Sequence, residues 1–125
     1  MFLAGFIAGV LTLTVVAFAG SKQRTVPPRE VVLVAKSIAF YLPDQPGKPN
    51  PTVTLKKGEP VKLVVRNDEP GKVLHCFTIT GLNVKTSEDL ATGQSETLNF
   101  TPKKKGTFAY ACLLHPSMTG KLVVQ

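Results

Sequence analysis

From Glu30 onward, short runs rich in Val, Thr, Leu and Phe alternate with clusters of Pro, Gly, Asn and Asp, at intervals typical of an all-β sandwich. The runs predict strands near 30–40, 51–56, 60–66, 74–80, 82–86, 95–100, 107–112 and 120–125. After Gly20 no stretch holds a helical period, beyond a single turn around Ser87 to Ala91. Tyr41 to Pro51 contains four prolines and is predicted as a loop. No internal repeat is visible. A chain of 125 residues has room for one compact domain, which argues against a two-domain enzyme.

Alternation along a strand assigns side chains to faces. In Gly106 to Cys112, Phe108, Tyr110 and Cys112 share one face. In Leu74 to Thr80, His75, Phe77 and Ile79 share a face, and Cys76, Thr78 and Thr80 take the other. The large apolar residues mark the core side. His75 and Cys112 are therefore expected to point inward at the ends of their strands, and Cys76 to point away.

Met1 to Gly20 carries no charged side chain, so it cannot be a half-exposed sandwich strand. Ala17, Phe18 and Ala19 before Gly20 fit the small-x-small pattern of signal cleavage, and roughly 20 apolar residues also suffice to cross a bilayer. Residues 1–20 are thus expected to be a signal peptide or membrane anchor, 21–29 a polar linker ending in Pro27 and Pro28, and 30–125 the folded domain. Lys22, Arg24 and Arg29 follow the apolar run, and the positive-inside rule alone would leave the domain in the cytoplasm. The donor chemistry described next suits an oxidising compartment and takes precedence, giving a periplasmic or otherwise extracytoplasmic expectation. The net charge of +7 favours an acidic partner or an anionic surface. Nucleic acid is not expected, because no nucleic-acid module is present and the lysines are spread out.

Beyond the initiator the chain contains two His, two Cys and one Met. Four of these five fall into one pattern: His75 heading an apolar strand, then Cys112, His115 and Met118 within seven residues. A thiolate and two imidazoles with a weak axial thioether suit copper in both oxidation states. Two alternatives compete with this reading. An exported protein with two cysteines can form a Cys76–Cys112 disulfide, although that leaves the positions of His75, His115 and Met118 without a reason. Structural zinc prefers a further Cys or His to a thioether.

The segment from Gly106 to Val124, GTFAYACLLHPSMTGKLVV, resembles the C-terminal copper loop of the cupredoxin family, and the likeness extends over roughly residues 30 to 125. Its C-x2-H-x2-M spacing is similar to the short loop of amicyanin. The resemblance implies a Greek-key β-sandwich of about eight strands with one type 1 copper ion at one end. It makes Cys112 the thiolate, His115 the second imidazole, Met118 the axial ligand and His75 the first, buried imidazole. It also implies that the backbone N–H of residue 76 bonds to the copper thiolate. Residue 76 itself departs from the family pattern: a polar residue is usual there, and this chain has Cys.

Catalytic relatives of the fold need further histidines for a second copper, and both histidines here are already used. The binuclear copper centre of cytochrome oxidase subunit II needs two cysteines on one loop, and this loop has one. The expected function is a single-electron carrier between redox proteins, with a copper chaperone or scavenger as the competing class. A monomer is expected. Leu113, Leu114 and Pro116 are predicted to form an apolar collar round His115 where a redox partner docks. Lys103, Lys104 and Lys105 precede the strand that runs toward Cys112 and so belong at the opposite end, whereas Lys72 is the better candidate for a charge near the docking face.

Overall fold

The computed structural model describes residues 13–125, so most of the expected signal or anchor segment lies outside the described residues. Leu13 to Pro28 has no regular secondary structure and is exposed. Among the described residues no helix is long and apolar enough to cross a membrane.

The described residues form nine strands: β1 (Arg29–Lys36), β2 (Ala39–Tyr41), β3 (Val53–Leu55), β4 (Val61–Asn67), β5 (Thr78–Ile79), β6 (Val84–Lys85), β7 (Ser95–Phe100), β8 (Gly106–Cys112) and β9 (His115–Val124). They form a four-stranded sheet, ordered β2-β1-β4-β7, and a five-stranded sheet, ordered β3-β9-β8-β5-β6. The pairs β1/β4 and β3/β9 are parallel, so the chain crosses between the sheets rather than meandering along one of them. One core cluster fills the space between, with Leu33, Leu63 and Val65 from the first sheet and Ile79, Tyr110 and Leu122 from the second. The expected all-β sandwich is observed.

The strand near 30–40 is in fact two. It folds back at Ser37 and Ile38, which both have positive φ (51° and 53°) between the paired residues Lys36 and Ala39. A two-residue hairpin loop needs this conformation. Gly and Asn usually supply it, and neither is present, so the turn carried no local signal. The strand expected over 74–80 is largely irregular: β5 spans only Thr78–Ile79, and His75 makes an isolated antiparallel bridge to Leu90. No helical turn forms around Ser87 to Ala91. Leu90 is buried there, and its N–H and C=O exchange hydrogen bonds with those of His75 at 2.7 and 3.0 Å.

The core against the future site is aromatic. Phe40, Phe77 and Tyr110 pack with ring centroids 5.5–5.8 Å apart. The buried Tyr110 hydroxyl donates to the Pro51 carbonyl at 2.6 Å, which ties the central strand β8 to the entry of β3. Opposite Tyr110 in the ladder stands Gly120, and a Cβ there would overlap the phenol ring. A glycine is required by this close approach, not by its backbone angles.

Candidate metal centre

β8 delivers Cys112 at its last residue, buried as its strand parity predicts, on the same side as Tyr110. The chain turns through Leu113 and Leu114 and re-enters the sheet at His115, which pairs with Cys112. The next matched pair is Ala111 with Thr119. Pro116, Ser117 and Met118 therefore bulge out of the ladder, and the bulge carries Met118 to full burial while leaving Pro116 and Ser117 exposed. Bulges of this kind re-aim side chains at functional sites.

His75 arrives from the other side, fixed by its backbone pairing with Leu90. Asn67, fully buried at the end of β4, braces that pairing: its side-chain amide donates to the carbonyls of Val73 and Leu90, both at 2.8 Å. The result is a compact set of donors. One ligand atom each from His75, Cys112 and His115 lies within 4.8 Å of the others. Cys112 Sγ is 4.0 Å from His75 Nδ1, and the two imidazole centroids are 4.8 Å apart.

Partners outside the cluster fix which nitrogen of each imidazole is free. His115 Nε2 lies 3.0 Å from the Leu74 carbonyl oxygen. A carbonyl only accepts, so Nε2 carries a proton and Nδ1 is the nitrogen left to bind a cation. His75 Nε2 lies 3.2 Å from the carboxylate of Glu69, which also accepts the Ile38 N–H at 3.0 Å. The same logic leaves His75 Nδ1, on the Cys112 side, unprotonated. An acid or carbonyl behind a metal-binding histidine is the usual device for fixing its tautomer and orientation.

The charge states agree with this arrangement. Burial pushes the His75 pKa down, as does the nearby His115, against the pull of Glu69, so the ring stays neutral. Burial alone would raise the Glu69 carboxyl, but hydrogen bonds from Ile38 and His75 outweigh it and hold the group below its usual range, ionised. Cys112 is pushed up by burial, opposed by the N–H groups of Cys76 and Leu114. Its thiol keeps its proton near neutrality until a cation competes for the sulfur.

His75, Cys112, His115 and Met118, the residues singled out from the sequence, thus lie at one end of the sandwich, the first three with their donor atoms clustered and Met118 buried on the adjoining bulge. The anticipated N–H bond from residue 76 to the Cys112 sulfur is present at 3.2 Å. One expectation fails. Cys76 does not point clear of the site: its Sγ is 3.6 Å from that of Cys112 and accepts the Leu113 N–H at 3.2 Å. Strand parity does not govern Cys76, because β5 begins two residues later and the chain here is irregular. Both cysteines are free thiols. Sequence reasoning missed Glu69 altogether, since an acid beside Pro70 and Gly71 carries the signal of a solvated turn.

A family model described as the cupredoxin-like domain matches residues 9–124. A curated relative, a probable cytochrome c oxidase subunit 2 of Streptomyces coelicolor, is 34% identical over 68 residues. That match covers 54% of this chain but only 20% of the relative, so the chain spans about a fifth of its length. Among solved structures, the dithionite-reduced auracyanin of Roseiflexus castenholzii superposes with a TM-score of 0.61 at 17% identity, covering 77% of this chain and 96% of that one. The copper nitrite reductase of Nitrosomonas europaea gives a TM-score of 0.64 at 22% identity, covering 79% of this chain and 42% of the enzyme. At such identities the likeness is one of fold, and the fold serves both an auracyanin and an enzyme.

Proposed function

We propose that this chain, which belongs to the cupredoxin-like domain family, holds one type 1 copper ion through His75, Cys112, His115 and Met118 and carries single electrons between redox proteins. The observation that supports this most is the pair of imidazoles, each engaged at Nε2 by a hydrogen-bond acceptor and each with a ring nitrogen clustered with the buried Cys112 sulfur, that of His75 being Nδ1. Soft thiolate, two imidazoles and a buried thioether fit copper better than zinc or a hard cation. Bound copper supplies the one-electron chemistry. The protein supplies rigidity: His75 is fully buried and fixed by Leu90, Asn67 and Glu69, and Cys112 receives the Cys76 N–H. Donors that do not move between oxidation states keep the reorganisation cost of electron transfer low.

His115 is the half-buried ligand, and it offers the short route to the surface. Around it Leu113 is 75% exposed, and Leu74 and Leu114 are each 46% exposed. These leucines, with Pro116, favour an apolar docking face for a redox partner, with the exposed Lys72 in the adjoining loop as a steering charge. Lys103, Lys104 and Lys105 precede Gly106 at the far end of β8 and take no part. The fully buried His75 and Cys112 also favour a carrier over a chaperone, which needs ligands that a recipient can reach. The uncharged N-terminal run supports an exported domain, tethered or released, and cell fractionation should find it in the envelope.

The decisive test is the visible spectrum with one equivalent of Cu(II). An intense thiolate-to-copper band that ascorbate bleaches is expected, lost in Cys112→Ser and kept in Cys76→Ser. A colourless wild-type protein sinks the reading, and loss of copper from the Cu(I) form to a moderate chelator within seconds favours the chaperone.

A further inference from the structure

Cys76 is not among the four proposed ligands, yet it stands against the one thiolate the site depends on. Its sulfur lies 3.6 Å from Cys112 Sγ, and a disulfide needs about 2.05 Å. Closing that gap takes a side-chain rotation and a small backbone adjustment. Neither cysteine is held by an uninterrupted ladder: Cys76 lies between the His75 bridge and β5, and Cys112 lies at the register shift that ends β8. The two differ in access. Cys112 is 1% exposed, whereas Cys76 is partly open to solvent.

We propose that Cys76 and Cys112 form a reversible dithiol–disulfide pair in the metal-free protein, with a peroxide as oxidant, which withdraws the sulfur ligand until a dithiol restores it. The sulfur of the partly exposed Cys76 attacks one oxygen of hydrogen peroxide, the O–O bond breaks, and the Cys76 sulfenic acid and water result. Cys112 then attacks that sulfur: the S–S bond forms, the S–O bond breaks, and a second water leaves with the Cys112 proton. Two thiols and one peroxide become one disulfide and two waters, the sulfurs losing the two electrons that the peroxide gains. A dithiol reverses the change by exchange. With copper on Cys112 the sulfur is engaged and the second step is blocked, so the disulfide forms only while the site is empty. Cys76 also intercepts oxidant before Cys112 can proceed to the sulfinic and sulfonic acids, which are not recovered.

The effect on copper rests on the ligand assignment above, but the bond itself does not. The full-length metal-free chain, reduced and held in mild detergent, is treated with one equivalent of hydrogen peroxide. Intact-mass analysis should show the loss of two hydrogens, and peptide mapping a Cys76–Cys112 link. Cu(II) uptake should fall at least tenfold and return with dithiothreitol, whereas Cys76→Ser, left with only the buried Cys112, should form no internal link and keep its Cu(II) uptake under the same treatment. Oxygen adducts or intermolecular dimers in the wild type, in place of the internal link, overturn the proposal. A link that forms in a protein whose reduced form never takes up copper upholds the pair and defeats the copper reading instead.

Discussion

Replacing Glu69 tests whether the site is held by its non-local hydrogen bonds. In Glu69→Ala the His75 Nε2–H, on a ring with no solvent exposure, loses its acceptor, and so does the Ile38 N–H. A buried donor left unsatisfied costs about 1–3 kcal/mol. Ile38 is 38% exposed, so water replaces part of the loss at its N–H. The sum is about 3 kcal/mol, which for a domain of roughly 100 residues lowers Tm by on the order of 15 °C. Glu69→Gln keeps an oxygen that can accept both bonds, while it removes the charge and turns the other oxygen into an amide NH2, so it should cost about 1 kcal/mol. Urea melts of the metal-free protein read both numbers. Copper affinity, measured by chelator competition, should fall about 10–100-fold in the Ala variant, as for other lost partners of metal-binding histidines. If both variants melt within about 0.5 kcal/mol of wild type, the carboxylate does not hold His75 and the tautomer argument built on it fails.

Three further outcomes are expected. Gly120→Ala drives a methyl group into the Tyr110 ring and should destabilise the domain by about 1–3 kcal/mol in denaturant melts, with Tyr110→Ala in the same chain removing most of the additional penalty. Tyr110→Phe removes the hydroxyl from the Pro51 carbonyl and should cost about 1 kcal/mol; a neutral result would mean the 2.6 Å contact contributes nothing net. The metal-free protein should lose stability on acidification, because His75 and Glu69 are both depressed in the folded state and the unfolded chain binds more protons. The His75 contribution is present above about pH 6.5 and is lost as pH falls through its lower folded value, and that of Glu69 follows below about pH 4.5; melts that are flat from pH 7 to 4 refute both signs.

The β-rich fold and most of the proposed site were legible because their signals are local. Cys112, His115 and Met118 fall within seven residues of one another, and the faces of Phe108, Tyr110 and Cys112 follow from the two-residue period of a single strand. What the sequence concealed depends on distant partners. Ser37 and Ile38 form a hairpin turn without glycine or asparagine, and the turn's Ile38 N–H is met by Glu69, 31 residues away. Leu90 belongs to a stretch with weak helical character until His75 supplies its backbone partner. Strand parity points Cys76 outward, but parity applies only inside a ladder, and the ladder begins after it.

These concealed contacts converge on one ligand. Its backbone is fixed by Leu90, the Leu90 carbonyl by Asn67, its imidazole by Glu69, and Glu69 in turn by the Asn67 side chain and the Ile38 turn. The chain therefore separates two tasks. The C-terminal hairpin carries three of the four proposed ligands and reads as a motif, while the position of the fourth is dictated by the opposite sheet through β4 and the β1–β2 turn. A substitution in that second group, far from any ligand in sequence, should shift the His75 Nδ1 relative to Cys112 while leaving the hairpin intact. Asn67→Ala is the clearest case, since its amide is fully buried and, among the described residues, no other side-chain donor meets the Val73 and Leu90 carbonyls. The thiolate-to-copper band should then persist with altered intensity and position, and an unchanged spectrum would mean that the hairpin alone defines the site.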